Sequence, residues 1–565
     1  MKFKKYLALF TILALTVVMF AGCNDSATPD PSNGDNGTDE GQMDAEQYIN
    51  TYLVSDPTTL DPSLRSDTYS STILVNTLES LVRMEERDGD YYQNRGDAET
   101  WEYNEDGTVW TFYLGDNKWE DGEPVTAHDY VYSLRRSSNP ATGSPNSYFL
   151  TPIVNFEEVN NGTLPVEELG VRAIDEKTLE ITLTNPVPAF LSMIDSTVYY
   201  PQRQDKVEEW GERYGSEAQY TISNGPFKVD SWTPNSSIIL SKNENYWDAE
   251  SVSLERVVYN IMTDETTYYN AFESGQIDFV GTGRTEWLER FQQRDDVNFN
   301  SYTSATITYS FYNSRDDLFQ NENIRKAFTL AIDREDINEV AFSGLRVPTY
   351  GWVVPTISVG NTTFRDAAGD TILEMKAELE AEGLTSKDLL LQGMEELGLG
   401  DDPESLNVTF SLAGTDDWFR TLGEYLQQVY REELGVNIEI DFSEWGIFYS
   451  NVTSGNYQIG FMGWGAYYND PYDVLSLFVS DQDMIETGWG NDEYDALIRE
   501  AAKEMDDEAR LELYIQAENI LLRDEMVVSP LATSRVNQFV KDYVHNYSTL
   551  GFSNMGLKYV YTSGR

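Results

Sequence analysis

Between residues 416 and 463 the spacing of apolar residues switches from helical to alternating, and then does so again. DDWFRTLGEYLQQVYREELG (416–435) puts Phe419, Leu422, Leu426, Val429, Tyr430 and Leu434 at helical spacing and stops at Gly435. VNIEIDF then alternates as a strand, a short helix follows Trp445, and YQIGFMG (457–463) reads as a second strand. Helix, strand, helix, strand is the order that builds a mixed α/β sheet, and it constrains the fold more than any other stretch. GWGAYYNDPY (463–472) leaves the last of these strands. Loops at the carboxyl ends of such strands are where ligands bind, so this aromatic segment is predicted to wall a pocket.

The remainder fits an α/β chain of more than one domain. WEYNEDGTVWTFYL (101–114) reads as a hairpin around Glu-Asp-Gly, and Thr126 caps a helix with Asp129 three positions on. LEITLTNPVPAFL (179–191) starts as a strand and is stopped by two prolines. At 565 residues the chain is too long for one core, so two or three domains are expected. Acidic residues outnumber basic ones 96 to 39, for a net charge of −57. Such a surface repels nucleic acid and anionic lipid headgroups, so nucleic acid is a poor candidate partner. The acidic residues are spread along the whole chain, which reads as adaptation to salty surroundings; an ordinary acidic secreted protein is the other reading. Self-repulsion is screened beyond about 3 Å at molar salt. On the first reading the melting temperature climbs with NaCl; a flat curve contradicts it.

The N-terminus reads MKFKKYLALFTILALTVVMFAGC: three lysines, an apolar run from Tyr6 to Ala21, then Gly22-Cys23. A basic segment, a short apolar run and small residues describe an export signal. The run is short for a comfortable transmembrane helix, although a retained anchor is the alternative. Ala21-Gly22-Cys23 resembles a lipobox with Phe20 where Leu is usual, which makes Cys23 the lipidation site. Residues 24–45 lack aromatics and are rich in Gly, Asp, Asn, Pro and Ser, a composition that cannot bury a core. They form a tether spanning about 25 Å as a coil and about 75 Å stretched.

Six stretches resemble, in order, the extracellular solute-binding proteins of family 5, the oligopeptide-binding class that feeds ATP-binding cassette importers. They are SDPTTLDPSLRSDTYSSTILVNTLESLVR, WTFYLGDNKWEDGEPVTAHDYVYSLRR, NGPFKVDSWTPNSSIILSKNENYWD, SGQIDFV, IRKAFTLAIDRE and GNDEYDALIREAA. The resemblance implies a two-lobed α/β fold of the periplasmic-binding-protein kind, type II, with an extra inserted domain. The implied organisation is a signal and lipobox (1–23), the tether (24–45), a first lobe (46–83 and 196–300) interrupted by an inserted domain (84–195), a second lobe (301–510), and a return to the first (511–565). It also implies closure of the lobes around a ligand, delivery to permease subunits, a monomer lipid-anchored on the outer face of the cytoplasmic membrane, and no ATP hydrolysis by this chain.

By the same resemblance Trp464 and Trp445 match pocket tryptophans, and Gly465, Tyr467 and Tyr468 lie on the lining segment. The position of Tyr467 is an aspartate in many peptide receptors of the family, where it pairs with the ligand's α-ammonium group. A tyrosine brings no negative charge, and a buried ammonium without one costs several kcal/mol. Asp470 is the first substitute if the loop turns it inward; Asp56 and Asp473 follow. Asp56, Pro57 and Thr58 lie where family ligands run beside an extended segment, and Ser223, Asn224 and Gly225 either touch the ligand or shape a crossing strand. Val452, Thr453 and Phe461 stand where some relatives carry basic groups. An oligosaccharide receptor of the same fold therefore stays open beside a peptide receptor.

Catalysis has little support. His128 and His545 are far apart, and no HExxH, GxSxG, P-loop or CxxC pattern occurs. No metal or cofactor is expected. A secreted carbohydrate-active enzyme is the alternative of a different class, because carboxylate pairs are plentiful.

Overall fold

Two long strands, Val297–Tyr312 and Val528–Lys541, pair antiparallel from Val297 opposite Lys541 to Phe311 opposite Val528. Both are rich in β-branched and aromatic residues, which favour extended backbone. One end of the pair carries Phe539 into a small cluster with Phe272 and Phe291; the other carries Phe311 and Val528 into a separate core. The register shifts between Thr303 and Ile307, an irregularity that bends such a ladder. The pair is the crossing between two lobes. The computed structural model describes residues 43–87, 90–481, 483–547 and 556–565.

On one side of the crossing lies a four-stranded sheet in the spatial order Tyr48–Leu53, Arg256–Ile261, Ser237–Lys242, Phe227–Thr233. A second sheet, ordered Ala98–Tyr103, Val109–Leu114, Thr178–Thr182, Val171–Ala173, belongs to the inserted segment. The expected hairpin is its first pair, turned by Gly107 at φ 67°. The expected helix follows as Ala127–Ser138, with Asp129 accepting the Thr126 N–H at 2.8 Å. Ile49 and Tyr259 share one continuous buried cluster with Trp110, Phe112, Leu179 and Phe190. The insertion is therefore cored jointly with the first lobe.

On the other side, the crossing strands extend into a sheet continued by Ile459–Gly465, Val408–Leu412 and Ile438–Phe442. The helix read from residues 416–435 forms as Asp417–Val429, its N-terminus capped by the Asp416 side chain, and ends past Leu434 at Gly435, φ 78°. It covers one sheet face with Leu422 and Leu426 against Phe410 and Phe461. The opposite face buries Ile307, Tyr309, Trp352 and Phe478. Helix Asp507–Asn519 packs Tyr514 and Ala517 into this same core.

Cys23, the signal and the tether up to residue 42 lie outside the described residues. Asp44, at the tether's expected end, is held to the C-terminus: its N–H donates to the Thr562 carbonyl at 3.0 Å and its carboxylate accepts the Gly564 N–H at 2.9 Å.

Candidate functional site

Strand Ile459–Gly465 sits between two neighbours of unequal length. On one side it pairs with the crossing strand through Gly465, opposite Thr306. On the other, Val408–Leu412 runs parallel to it but stops at Leu412 opposite Phe461. Beyond Phe461, no strand among the described residues lies beside that edge. Hydrogen bonding alternates along an antiparallel ladder, and Ala466 donates to the Ala305 carbonyl at 2.8 Å. By that alternation Trp464 and Met462 face the crossing strand, and the N–H and C=O groups of Gly463 and Gly465 face the open edge. Both glycines are exposed. Neither is required by the protein's own packing: a Cβ on Gly463 would meet only the Ile307 carbonyl at 3.5 Å, and one on Gly465 only Thr306 Oγ1 at 3.4 Å.

The loop that follows spans both lobes. Trp464 packs against the second-lobe core, with its buried indole N–H lacking a partner. Tyr467 is 57% exposed and meets Trp464 edge-on at 6.4 Å. Its ring also stands edge-on to Phe149 at 5.7 Å and Tyr148 at 6.4 Å, both from the inserted segment. Arg65 of the first lobe lies within electrostatic range of the Tyr148 and Tyr467 hydroxyls, and burial pushes its protonation equilibrium down. It donates to Thr197 Oγ1 at 2.6 Å, and no carboxylate among the described residues is within ion-pair distance of it. Tyr148, Phe149 and Arg65 were not singled out by sequence; only the aromatic doublet hints at them.

Several expected ligand contacts serve the fold instead. Tyr468 is buried in the first-lobe core, so it pins the loop across the lobes and does not line the space beside Tyr467. Asp470 is 2% exposed, accepts the Tyr514 hydroxyl and the Tyr472 N–H at 2.9 Å each, and stands 3.6 Å from Arg510. Its charge is already answered, which removes it as the missing counter-charge. Asn224 is buried, accepting from the Glu79 N–H at 3.0 Å and donating to Asp97 at 2.8 Å. It ties together the two segments that enter and leave the insertion. Asp56 accepts the Trp232 indole N–H at 3.1 Å and the Asn235 N–H at 2.5 Å. Thr58 is exposed and donates its N–H and hydroxyl to Asp67, the cap of helix Thr68–Thr77. Val452 and Phe461 are buried core residues. Trp445 is 56% exposed at the start of helix Trp445–Thr453, stacked on Tyr449 at 5.7 Å.

Asp473 behaves differently from Asp470. It is 8% exposed and accepts the Tyr467 N–H at 2.6 Å, directly behind the tyrosine that replaces the expected aspartate. Among the described residues no basic side chain pairs with it. Burial pushes its carboxyl up to about 7 against the pull of the Tyr467 and Tyr468 N–H groups.

A crossing bent between two α/β lobes, with an open strand edge and exposed aromatics where the lobes meet, defines a receptor that clasps a solute. The chain belongs to the bacterial extracellular solute-binding proteins, family 5, whose middle region matches residues 96–486. It is 30% identical to the dipeptide-binding protein DppE of Bacillus subtilis, covering 90% of this chain and 91% of that one. It is equally 30% identical to the oligopeptide-binding protein OppA of the same organism, over 94% of both chains. The structure of Listeria monocytogenes OppA bound to peptide superposes with a TM-score of 0.69 at 26% identity, covering 92% of this chain and all of that one.

Proposed function

We propose that this chain captures oligopeptides between its lobes and hands them to the permease of an ATP-binding cassette importer. The observation that carries this reading is the open edge at Gly463 and Gly465. An extended peptide pairs with such an edge through its own backbone, which gives affinity independent of side-chain identity. Exposed Trp445 and Tyr467, with Tyr148, supply rigid apolar surface for those side chains. An oligosaccharide would stack on the same rings but has no backbone to pair with a strand. Calorimetric titration with short peptides and with oligosaccharides tests the choice: heat of binding from oligosaccharides alone overturns it. The export signal, Cys23 lipidation and the tether fit a monomer held on the outer face of the cytoplasmic membrane.

Asp473 takes the role of counter-charge for the ligand's ammonium group. Its native carboxyl holds a proton up to about 7, whereas in the unfolded chain it lets go near about 3.9. Stability from this group is therefore complete below about pH 4 and lost as the pH climbs through about 7. An ammonium ligand needs the ionised form, so affinity for a free-amine peptide rises on the order of tenfold between about pH 5.5 and about pH 8. The Asp473→Asn protein loses that rise and no longer prefers the peptide over its N-acetylated form. An unchanged pH profile in the variant contradicts the assignment.

A further inference from the structure

We propose that Arg346 is the second lobe's anchor for a ligand carboxylate; this rests on the peptide-receptor reading and goes one step beyond it. Arg346 opens the short strand Arg346–Pro348, which pairs with Ser534–Ala532 of the second crossing strand. Ala532 is in turn opposite Thr308, and Thr308 opposite Gly463. The guanidinium reaches over the intervening strand, and its Nη1 donates to Thr308 Oγ1. Side chains alternate along a strand. Ile307 and Tyr309 belong to the core with Trp352, so Thr306 and Thr308 lie on the other face, the one that Gly463 and Gly465 leave bare. The charge thus sits one strand over from the free edge and on its open face.

What surrounds this guanidinium is unusual for an arginine in so acidic a chain. Among the described residues it has no carboxylate within ion-pair distance, and a neutral hydroxyl is its one side-chain partner. It lies over the Phe342 ring at 4.4 Å and the Trp418 ring at 5.8 Å, and Trp418 is itself fixed by donating to the Ala341 carbonyl at 2.7 Å. The rings hold the planar fork in place and strip water from it, which strengthens any later pairing. Burial alone pushes its protonation equilibrium down, with no acid opposing the shift. The buried arginines of this lobe are spent on the fold: Arg325 donates to the Phe319 and Glu525 carbonyls, Arg334 to the Thr329, Ile332 and Pro530 carbonyls, and Arg510 pairs with Asp507; half-buried Arg365 pairs with Glu518. Among the described residues of this lobe, Arg346 is the half-buried arginine left with a bidentate face to offer, and a carboxylate is the group that matches it. That carboxylate is either the peptide's C-terminus or an acidic side chain.

The test is calorimetric titration of the full chain with trialanine, trialanine amide and Ala-Glu-Ala amide, repeated on Arg346→Gln. The unmodified protein is expected to bind trialanine at least about tenfold more tightly than its amide if the terminal carboxylate is the guest. Recovery of the loss by Ala-Glu-Ala amide assigns the guest to a side chain. In Arg346→Gln all three ligands bind alike. Equal binding of all three by the unmodified protein overturns the anchor while leaving the peptide reading intact, and needs no variant to fold. Discrimination that survives Arg346→Gln also overturns it. Binding of none of them, with oligosaccharides bound instead, overturns the peptide reading and the anchor together.

Discussion

Gly463→Pro is expected to fold normally and to lose peptide binding by on the order of 100-fold. The Gly463 N–H faces away from the crossing strand, so a proline there removes no bond of the Thr306–Tyr312 ladder. Its neighbours Met462 and Trp464 are in extended conformation, which the residue before a proline requires. The ring occupies the line along which a ligand strand would approach and deletes a donor to it. Loss of one hydrogen bond accounts for roughly 1 kcal/mol, and displacement of the ligand backbone for the remainder. Moving the proline one residue, Trp464→Pro, is the control: it breaks the bond to Ile307 and costs stability before it costs binding. Calorimetry and thermal melting distinguish the two. A Gly463→Pro protein that binds like the parent rules out strand pairing at this edge.

Glu518→Ala is expected to destabilise the second lobe by about 3–5 kcal/mol, read as an early transition in a melting curve. Glu518 is 1% exposed. It accepts the Trp352 and Val353 N–H groups at 2.8 Å each and pairs with Arg365, whose side chain is 9% exposed. Alanine leaves two amides and a guanidinium without partners in a dry core, which is costlier than never having placed the pair there. The effect reaches the proposed binding site. Trp352 donates its indole N–H to the Val474 carbonyl at 2.9 Å and meets Tyr309 edge-on at 4.8 Å. Val474 lies one residue beyond Asp473, so a loosened Trp352 frees the segment that carries the proposed counter-charge. Glu518→Gln keeps an acceptor for the amides and should lose less. A loss below about 1 kcal/mol in the alanine variant contradicts this account of the core.

Much of the architecture was legible because it rests on local period. The helix at 416–435, the two strands that follow it and the hairpin at 101–114 follow from apolar spacing and turn residues, and they appear where that spacing puts them. The aromatic segment also lies, as read, at the end of a strand. What could not be read was which side chains on it are free. Asp470 and Asp473 lie three residues apart in one loop. The difference between them is made by Tyr514 and Arg510, on a helix some forty residues later that happens to cover Asp470. Tyr467 and Tyr468 are adjacent, yet one faces the cleft and the other is buried in the opposite lobe. The open edge depends on where the neighbouring strand stops, at Leu412, and the sequence VTFSLAG does not mark that point strongly. Helix Asp507–Asn519 has no apolar stripe that names its partner, so the core that takes Tyr514 and Ala517 could not be read either.

Amide hydrogen exchange resolved to single residues tests the central claim most directly. With trialanine added to the full chain, the Gly463 and Gly465 amides are expected to slow markedly, while those of Met462 and Trp464, already bonded to the crossing strand, change little. Slowing confined to other surfaces, with both glycine amides exchanging as fast as before, would contradict a guest seated on that edge.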